Sequence, residues 1–153
     1  MRARPLILLL LCLGWVLTPS LSLAAPDIPW AELKEKEGLW YRGGDPRPFT
    51  GKAYSSRKSG GREFTFAFKD GKPHGEWIIW HKNGQKRSLT NYAAGVVQGI
   101  SASWYESGQL KSQGNYLTGK RHGLMTEWNE SGRKVAESKY DRGQLVTRKE
   151  FKK

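Results

Sequence analysis

Residues 75–98 read GEWIIWHKNGQKRSLTNYAAGVVQ, and this stretch decides the fold because its pattern recurs along the chain. Glycine and aromatic positions repeat every 24 residues without an insertion, which indicates a repeat architecture. The four units are residues 51–74, 75–98, 99–122 and 123–146. The repeated columns are Gly75, Gly99 and Gly123; Gly84, Gly108 and Gly132; Trp80, Trp104 and Trp128; and Phe68, Tyr92, Tyr116 and Tyr140. One structural unit is therefore used four times.

Each unit contains two extended stretches, and each stretch ends in a turn closed by glycine. We interpret residues 82–84 and 69–71 as three-residue loops, in which Gly84 and Gly71 take a positive φ. A helix is disfavoured because glycine would interrupt it in every unit. The sequence therefore predicts an all-β fold: an elongated antiparallel meander, or ribbon, of about four 24-residue β-hairpin repeats with a short N-terminal cap.

The two faces of this ribbon follow from the lengths of its turns. Three-residue loops at both turns keep even-numbered positions on one side, so we predict that the Trp column and the Phe/Tyr column share a face. Unit one has Ser56 in the Trp column and Phe64 and Phe66 where other units have small residues, an exchange of volume expected on a packed face. The other face varies between units. Together with the hairpin edges it gives the candidate partner-binding residues Trp77, Ile79, His81, Ser101, Ser103, Tyr105, Met125 and Asn129.

The first 24 residues have the pattern of a secretory signal peptide. Arg2 and Arg4 precede an apolar run over residues 6–17, and Ser22 and Ala24 are the small residues that cleavage after Ala24 requires. We therefore expect a protein that is exported to the periplasm or secreted. Its predicted parts are a cap and loop (25–48), a repeat domain (49–146) and a basic strand or tail (147–153).

The sequence contains no arrangement typical of an enzyme. Cys12 is the only cysteine and lies in the predicted signal peptide, which excludes a disulfide framework in the product. His74 and His122 are two units apart, roughly 20 Å in a regular ribbon, which is too far to share a metal ion. We interpret these histidines as turn-flanking residues rather than as ligand contacts. We predict no catalytic residues, no cofactor and no metal.

The charge is strongly positive, at +12 for the whole chain. Without Arg2 and Arg4 there remain 24 basic against 14 acidic residues, a net charge of +10. Basic residues cluster along both predicted edges of the ribbon, where they either protect and solubilise the sheet or bind an anionic polymer or lipid. Nucleic acid is disfavoured as a partner because the protein is expected to be exported. The candidate anion contacts are Lys82, Lys86, Arg87, Lys111, Lys120, Arg121, Arg133 and Lys134.

Several stretches resemble the bacterial MORN-repeat variant family: KDGKPHGEWIIW (69–80), WYESGQLK (104–111) and YLTGKRHG (116–123). The segment LWYRGGDPRPFTG (39–51) is similar to the leader that often precedes such repeats. The resemblance covers about residues 39–143 and implies a ribbon of β-hairpins that acts as a binding or scaffolding module, with no catalytic residues. Unit one departs from the pattern at Ser56 and in the turn at residues 59–61.

Three functional hypotheses follow. The first is an exported, non-enzymatic repeat protein that acts as a protein-interaction or scaffolding module. The second is a peripheral envelope protein that binds anionic lipid or polysaccharide through its basic edges. The third is an antitoxin or immunity-like protein, which rests only on a label attached to the family. Open sheet edges at the ribbon ends also favour self-association.

Overall fold

The computed structural model describes residues 26–152, and most of its regular structure is β-strand. Ten strands form one sheet in the order β1-β4-β5-β6-β7-β8-β9-β10-β11-β12, and β2 and β3 form a separate hairpin. The strands are β1 (Ile28–Pro29), β2 (Leu33–Lys36), β3 (Leu39–Arg42), β4 (Gly51–Ser56), β5 (Arg62–Lys69), β6 (Lys72–Trp80), β7 (Lys86–Ala93), β8 (Val96–Trp104), β9 (Leu110–Leu117), β10 (Lys120–Trp128), β11 (Lys134–Asp141) and β12 (Gln144–Glu150). The predicted all-β meander of hairpin repeats is confirmed.

Helical structure in this range is limited to a 3-10 helix at Trp30–Glu32. Between residues 26 and 152, no helix has the length and apolar character needed to span a bilayer. The predicted signal peptide (1–24), with Cys12, and the last residue, Lys153, lie outside the described residues.

The turn that joins β6 to β7 has the predicted three-residue loop. The N–H of His81 donates to the carbonyl of Gln85 at 2.8 Å, and the N–H of Gly84 donates back to His81 at 3.1 Å. Gly84 has φ +85°, a conformation that costs glycine little. The equivalent turns before β9 and β11 repeat this pattern. The glycine column at 84, 108 and 132 is therefore explained by backbone geometry.

The other turn is shorter than predicted. Lys69 pairs directly with Lys72, so the loop contains only Asp70 and Gly71. Both residues have positive φ, 49° and 75°, which is the type I′ geometry that matches the twist of the flanking strands. The same geometry recurs at residues 94–95, 118–119 and 142–143. The three-residue loop predicted at 69–71 is therefore wrong.

A β-bulge in each unit changes which side chains lie on each face of the sheet. Trp80 pairs with Lys86, but Ile79 pairs with Ser88, which leaves Arg87 as an extra residue in β7. The equivalent extra residues in the other units are Glu63, Lys111 and Val135. One extra residue exchanges the faces of everything beyond it in that strand.

The predicted single aromatic face is therefore wrong. Tyr92 pairs with Gly75 and lies on the face of Trp77, with 5.6 Å between the two ring centroids, whereas Trp80 points to the opposite side. Trp104 and Trp128 are separated from Tyr116 and Tyr140 by the same bulge. The exchange of Ser56 with Phe64 and Phe66 fails as an argument because Phe64 and Phe66 lie on the other face from Ser56.

The main hydrophobic core lies at the N-terminal end of the sheet. Ile28, Leu33, Ala53 and Phe68 are buried there. Trp30 lies over Phe66 with 5.1 Å between ring centroids and over Trp40 with 4.7 Å. We call the side of the sheet that this cap covers the cap face. It carries Phe66, Trp77 and Tyr92, and beyond β6 no cap residue packs on it among the described residues.

Candidate functional site

The uncovered part of the cap face is a shallow trough over β7, β8 and β9. Cross-strand pairing sets its floor in two rows. One row contains Ser88, Ser103 and Ser112, and the other contains Thr90, Ser101 and Gly114. The hydroxyls bond each other across the strands, at 2.7 Å between Ser103 and Ser112 and 3.3 Å between Thr90 and Ser101. The floor is therefore small, polar and internally satisfied.

Larger side chains wall the trough on both sides. Trp77 and Ile79 stand on β6, and Met125 stands on β10, four strand spacings or about 19 Å away. Trp77 packs on Phe66 with 3.9 Å between ring centroids, and its buried indole N–H has no hydrogen-bond partner among the described residues. This tryptophan therefore contributes packing rather than hydrogen bonding. We call this surface, floor and walls together, the cap-face trough.

Five of the eight predicted partner-binding residues lie in the trough, and three lie at its edge. Trp77, Ile79, Ser101, Ser103 and Met125 share the cap face. The other three, His81, Tyr105 and Asn129, occupy equivalent positions beside the three-residue loops.

Two of these edge residues form hydrogen bonds to the next unit. The ring Nε2 of His81 lies 2.9 Å from the carbonyl of Trp104, and the hydroxyl of Tyr105 donates to the carbonyl of Trp128 at 2.9 Å. Asn129 instead accepts the backbone N–H of Arg133 within its own loop at 3.0 Å. The described contacts of this column are internal, so its side chains are already occupied in the free protein.

A second ladder of side chains joins the units at the other edge. Thr50, His74, Gln98 and His122 each accept the backbone N–H of the first residue in the next two-residue turn. The distance is 2.8 Å from Thr118 N to Gln98 Oε1 and 3.4 Å from Ala94 N to His74 Nδ1. In this arrangement His74 and His122 flank turns, as the sequence indicated, and each Nδ1 is an acceptor.

The eight predicted anion contacts are all exposed, but they do not form one site. Lys82, Lys86 and Arg133 lie at the three-residue loops, and Lys134 forms an ion pair with Glu137 there. Lys120 pairs with Leu117 beside a two-residue turn, on the side away from the trough. Arg87, Lys111 and Arg121 line depressions in the cap face.

Arg121 is held in place by two tyrosines of the repeat column. Its Nε donates to the hydroxyl of Tyr116 at 3.5 Å, and its Nη1 donates to the hydroxyl of Tyr140 at 3.3 Å. Its guanidinium carbon also lies 5.4 Å from the centroid of the Tyr140 ring. The hydrogen bond to Tyr116, followed by that to Tyr140, raises the pKa of Arg121 further above its usual range. The side chain therefore stays charged and oriented.

Sequence reasoning missed the trough floor and the two tyrosines around Arg121. The small residues that the sequence pattern puts on the face of the Trp column include Ser88, Thr90, Ser112 and Gly114, because it predicts no bulge at Arg87 or Lys111. The paired positive-φ turn at residues 70–71, an Asp-Gly sequence typical of type I′ turns, was the available signal. Among residues 26–152, no three His, Cys, Asp or Glu side chains are grouped closely enough to hold a metal ion.

A family model described as MORN repeat variant matches residues 73–94 and 97–117. These two stretches therefore match MORN repeats of the variant type. Each match falls on one hairpin, β6–β7 or β8–β9, and thus on the central part of the trough. MORN repeats generally act as binding and scaffolding modules and are generally not enzymes. No curated protein and no solved structure shows significant similarity to this chain.

Proposed function

We propose that this protein is an exported, non-enzymatic interaction module that holds a partner protein on its cap-face trough, in the bacterial periplasm or outside the cell. The uncovered cap face carries the argument, because its walls and rim contain Trp77, Met125, Tyr92, Tyr116 and Arg121. These residue types are enriched where proteins meet and supply most of the binding free energy there. A single-layer sheet leaves such side chains accessible without a conformational change.

Export rests on the N-terminal sequence. The basic residues Arg2 and Arg4, the apolar run over 6–17 and the small residues Ser22 and Ala24 support cleavage after Ala24. N-terminal sequencing of the protein recovered from the periplasm or the medium should begin at Ala25. An intact Met1 in a soluble cytosolic protein would contradict this part of the proposal.

Site-specific cross-linking tests the interaction face. A photo-reactive residue is placed at Ser103, in the trough floor, or at Gln113, which pairs with Ala102 on the opposite face. Both positions lie in central strands, so the two variants are matched in depth within the sheet. We expect a discrete cross-linked partner protein from the Ser103 variant and none from the Gln113 variant. Equal products from both, or products from neither, would contradict the proposal.

A second candidate function, binding to an anionic lipid surface, is favoured by one observation on the opposite face. Four apolar side chains there are well exposed: Val96 (45%), Ile100 (47%), Leu117 (37%) and Leu124 (53%). Lys120 pairs with Leu117 and Lys139 with Leu124, so cations stand beside the apolar strip. Apolar insertion combined with basic residues is the usual mode of peripheral binding to acidic membranes.

Sedimentation with acidic vesicles tests this candidate. Binding should weaken with added salt, and Leu124→Ser should weaken it further, since the apolar contribution is lost. Ser103→Ala, on the cap face, is the matched control and should bind like the wild type. Binding that is absent, or unaffected by Leu124→Ser, would remove the candidate.

A further inference from the structure

The cap-face trough carries cations that have no acidic partner. In residues 26–152, Arg87, Lys111 and Arg121 take part in none of the ion pairs that the structure contains, although all three line depressions of this face. Lys111 lies 5.3 Å from the centroid of the Tyr105 ring, which orients its ammonium group without neutralising it. The charges at this surface are therefore available to a partner.

The acidic groups of the same surface are distributed unevenly. Glu127, in the wall beside Met125, already binds Arg148 at 3.2 Å. Glu106 and Glu130 lie at the rim near Arg87, so the charge at that end is mixed. The depression between Lys111 and Arg121 contains Glu127 as its only carboxylate in the described chain, and its floor is made of Ser101 and Ser112. Positive charge is thus left over between Lys111 and Arg121.

The distance between Lys111 and Arg121, and the fixed orientation of Arg121, determine which ligand this depression can bind. Lys111 adjoins Ser112, and Arg121 pairs with Tyr116, four residues further along β9. Four residues of strand span roughly 13 Å, so the two cations can each take a separate carboxylate. The hydrogen bonds of Nε and Nη1 to the two tyrosines fix the orientation of the Arg121 guanidinium and leave Nη2 to donate to a carboxylate. Because the side chain is already ordered, less conformational entropy is lost when the carboxylate binds.

The apolar walls favour a polypeptide over an acidic polysaccharide. Trp77 and Ile79 on one side, and Met125 on the other, offer packing surface to apolar side chains. A polypeptide presents such side chains between its carboxylates, whereas a uronic acid polymer carries hydroxyls at every unit. Methionine and tryptophan around a floor of small residues also let a partner backbone approach closely.

We propose that the cap-face trough binds an acidic polypeptide segment of the partner protein, with one carboxylate on Arg121, a second on Lys111 and apolar side chains packed against the walls at Trp77 and Met125. The inference rests on the proposed function and names the chemistry of the partner. Net charge supports it, because the +10 that remains after loss of Arg2 and Arg4 speeds the approach of acidic chains of any kind. The oriented side chains of Arg121 and Lys111 then determine where on the protein the acidic segment binds.

The test uses a random copolymer of glutamate and tyrosine, titrated into the exported chain and followed by fluorescence anisotropy. The trough variants are Arg121→Gln and Lys111→Gln. The matched controls are Lys139→Gln, on the opposite face, and Lys82→Gln, in a three-residue loop; each also removes one exposed positive charge. Thermal unfolding of every variant establishes that the fold is retained. We expect about a tenfold loss of affinity for Arg121→Gln, a smaller loss for Lys111→Gln and less than a twofold loss for the controls.

Two results would overturn the proposal. Equal losses in the trough and control variants would show that only net charge matters. Binding of polygalacturonate that matches that of the copolymer, and depends equally on Arg121, would show that the surface does not select a polypeptide.

The same variants separate this inference from the proposed function. If the Ser103 cross-linker captures the same partner with and without Arg121→Gln, the interaction function stands and the acidic-segment assignment fails. If the copolymer binds through Arg121 but no cellular partner is cross-linked, the proposed function fails while the chemistry of the trough stands.

Discussion

At the scale of single residues, Gly114 shows how closely the trough floor is packed. A Cβ built at Gly114 would lie 2.9 Å from Cε and 3.2 Å from Cβ of Met125. Its φ is not in the left-handed region, so the obstacle is space and not backbone conformation. Gly114→Ala should therefore lower the free energy of unfolding by about 1–3 kcal/mol, the usual cost of overpacking, as measured by urea denaturation.

The double variant provides the control for that prediction. Met125→Ala removes the Cε that lies 2.9 Å from the new methyl group but keeps the Cβ at 3.2 Å, so Gly114→Ala should cost less, without becoming neutral, in a Met125→Ala background. A stabilising effect of Gly114→Ala in the wild-type background would contradict the packing argument, because alanine is otherwise preferred over glycine inside a strand.

The partial burial of Tyr92 on the cap face affects how the stability of the fold depends on pH in alkaline solution. Burial raises the pKa of the Tyr92 hydroxyl above its usual range, because the phenolate would lose solvation. The unfolded chain releases this proton at about pH 10, before the folded chain does. Unfolding is therefore increasingly favoured as the pH rises from about 10 towards the folded pKa, and below that window this group has no effect.

Tyr92→Phe should accordingly flatten the alkaline decline. Melting temperatures of the wild type and the variant are compared between about pH 8 and 11, the range that spans the ordinary tyrosine pKa. The difference between the two proteins should change above about pH 10 in favour of the variant. An identical alkaline decline in both proteins would contradict the assignment.

At the scale of elements, the ladder of Thr50, His74, Gln98 and His122 ties each hairpin to the next two-residue turn. Any side chain with an acceptor at the right height serves, which explains why the column contains three residue types. Gln98→Leu removes the acceptor of Thr118 N–H and should cost about 1 kcal/mol in urea denaturation. Gln98→His should retain most of that stability, since histidine fills this place in two other units. A loss for Gln98→His as large as that for Gln98→Leu would show that the hydrogen bond is unimportant.

Sequence predicts the elements well and their faces poorly, for a physical reason. Glycine marks the place of the turns because it adopts positive φ at little cost, as at Gly84 and Gly71, although the length predicted at residues 69–71 is wrong. The bulge left no such mark. Its extra residues are Glu63, Arg87, Lys111 and Val135, which have no common chemistry because a bulge constrains the backbone and not the side chain.

The same error limited the candidate site. Variation between units pointed to Trp77, Ser101 and Met125, and these do share the cap face. The floor residues Thr90 and Ser112 were assigned to the wrong side, since an error of one residue in register transfers a whole strand face. The hydrogen bonds around Arg121 join residues of different units, so the pattern within one unit does not predict them.

At the scale of the whole molecule, the two ends of the ribbon differ. The first unit is covered by β1 and by aromatic side chains of the cap, including Trp30 and Trp40. The last strand, β12, is exposed along all seven residues. Between these ends each strand contacts chiefly its sequence neighbours, so the stability of the repeats should be close to a sum of units and interfaces.

Removing a whole unit tests that additivity. Deletion of residues 115–138 removes 24 residues and joins Gly114 to Lys139, so every repeat column stays in phase. The hybrid strand then pairs with β8 on one side and with β12 on the other. The shortened chain should still unfold cooperatively, with an unfolding enthalpy near 60 °C lower by about 17 kcal/mol, from about 0.7 kcal/mol per residue. Deletion of residues 115–126, half a unit, would instead join Gly114 to Glu127, two residues that both lie on the cap face. Neighbouring residues of a strand point to opposite faces, so Glu127 and Trp128 would exchange faces and this deletion should not fold cooperatively. Calorimetry of the two proteins measures the difference directly. Cooperative folding of the half-unit deletion, or its loss in the whole-unit deletion, would contradict a ribbon whose repeats interact only with their neighbours.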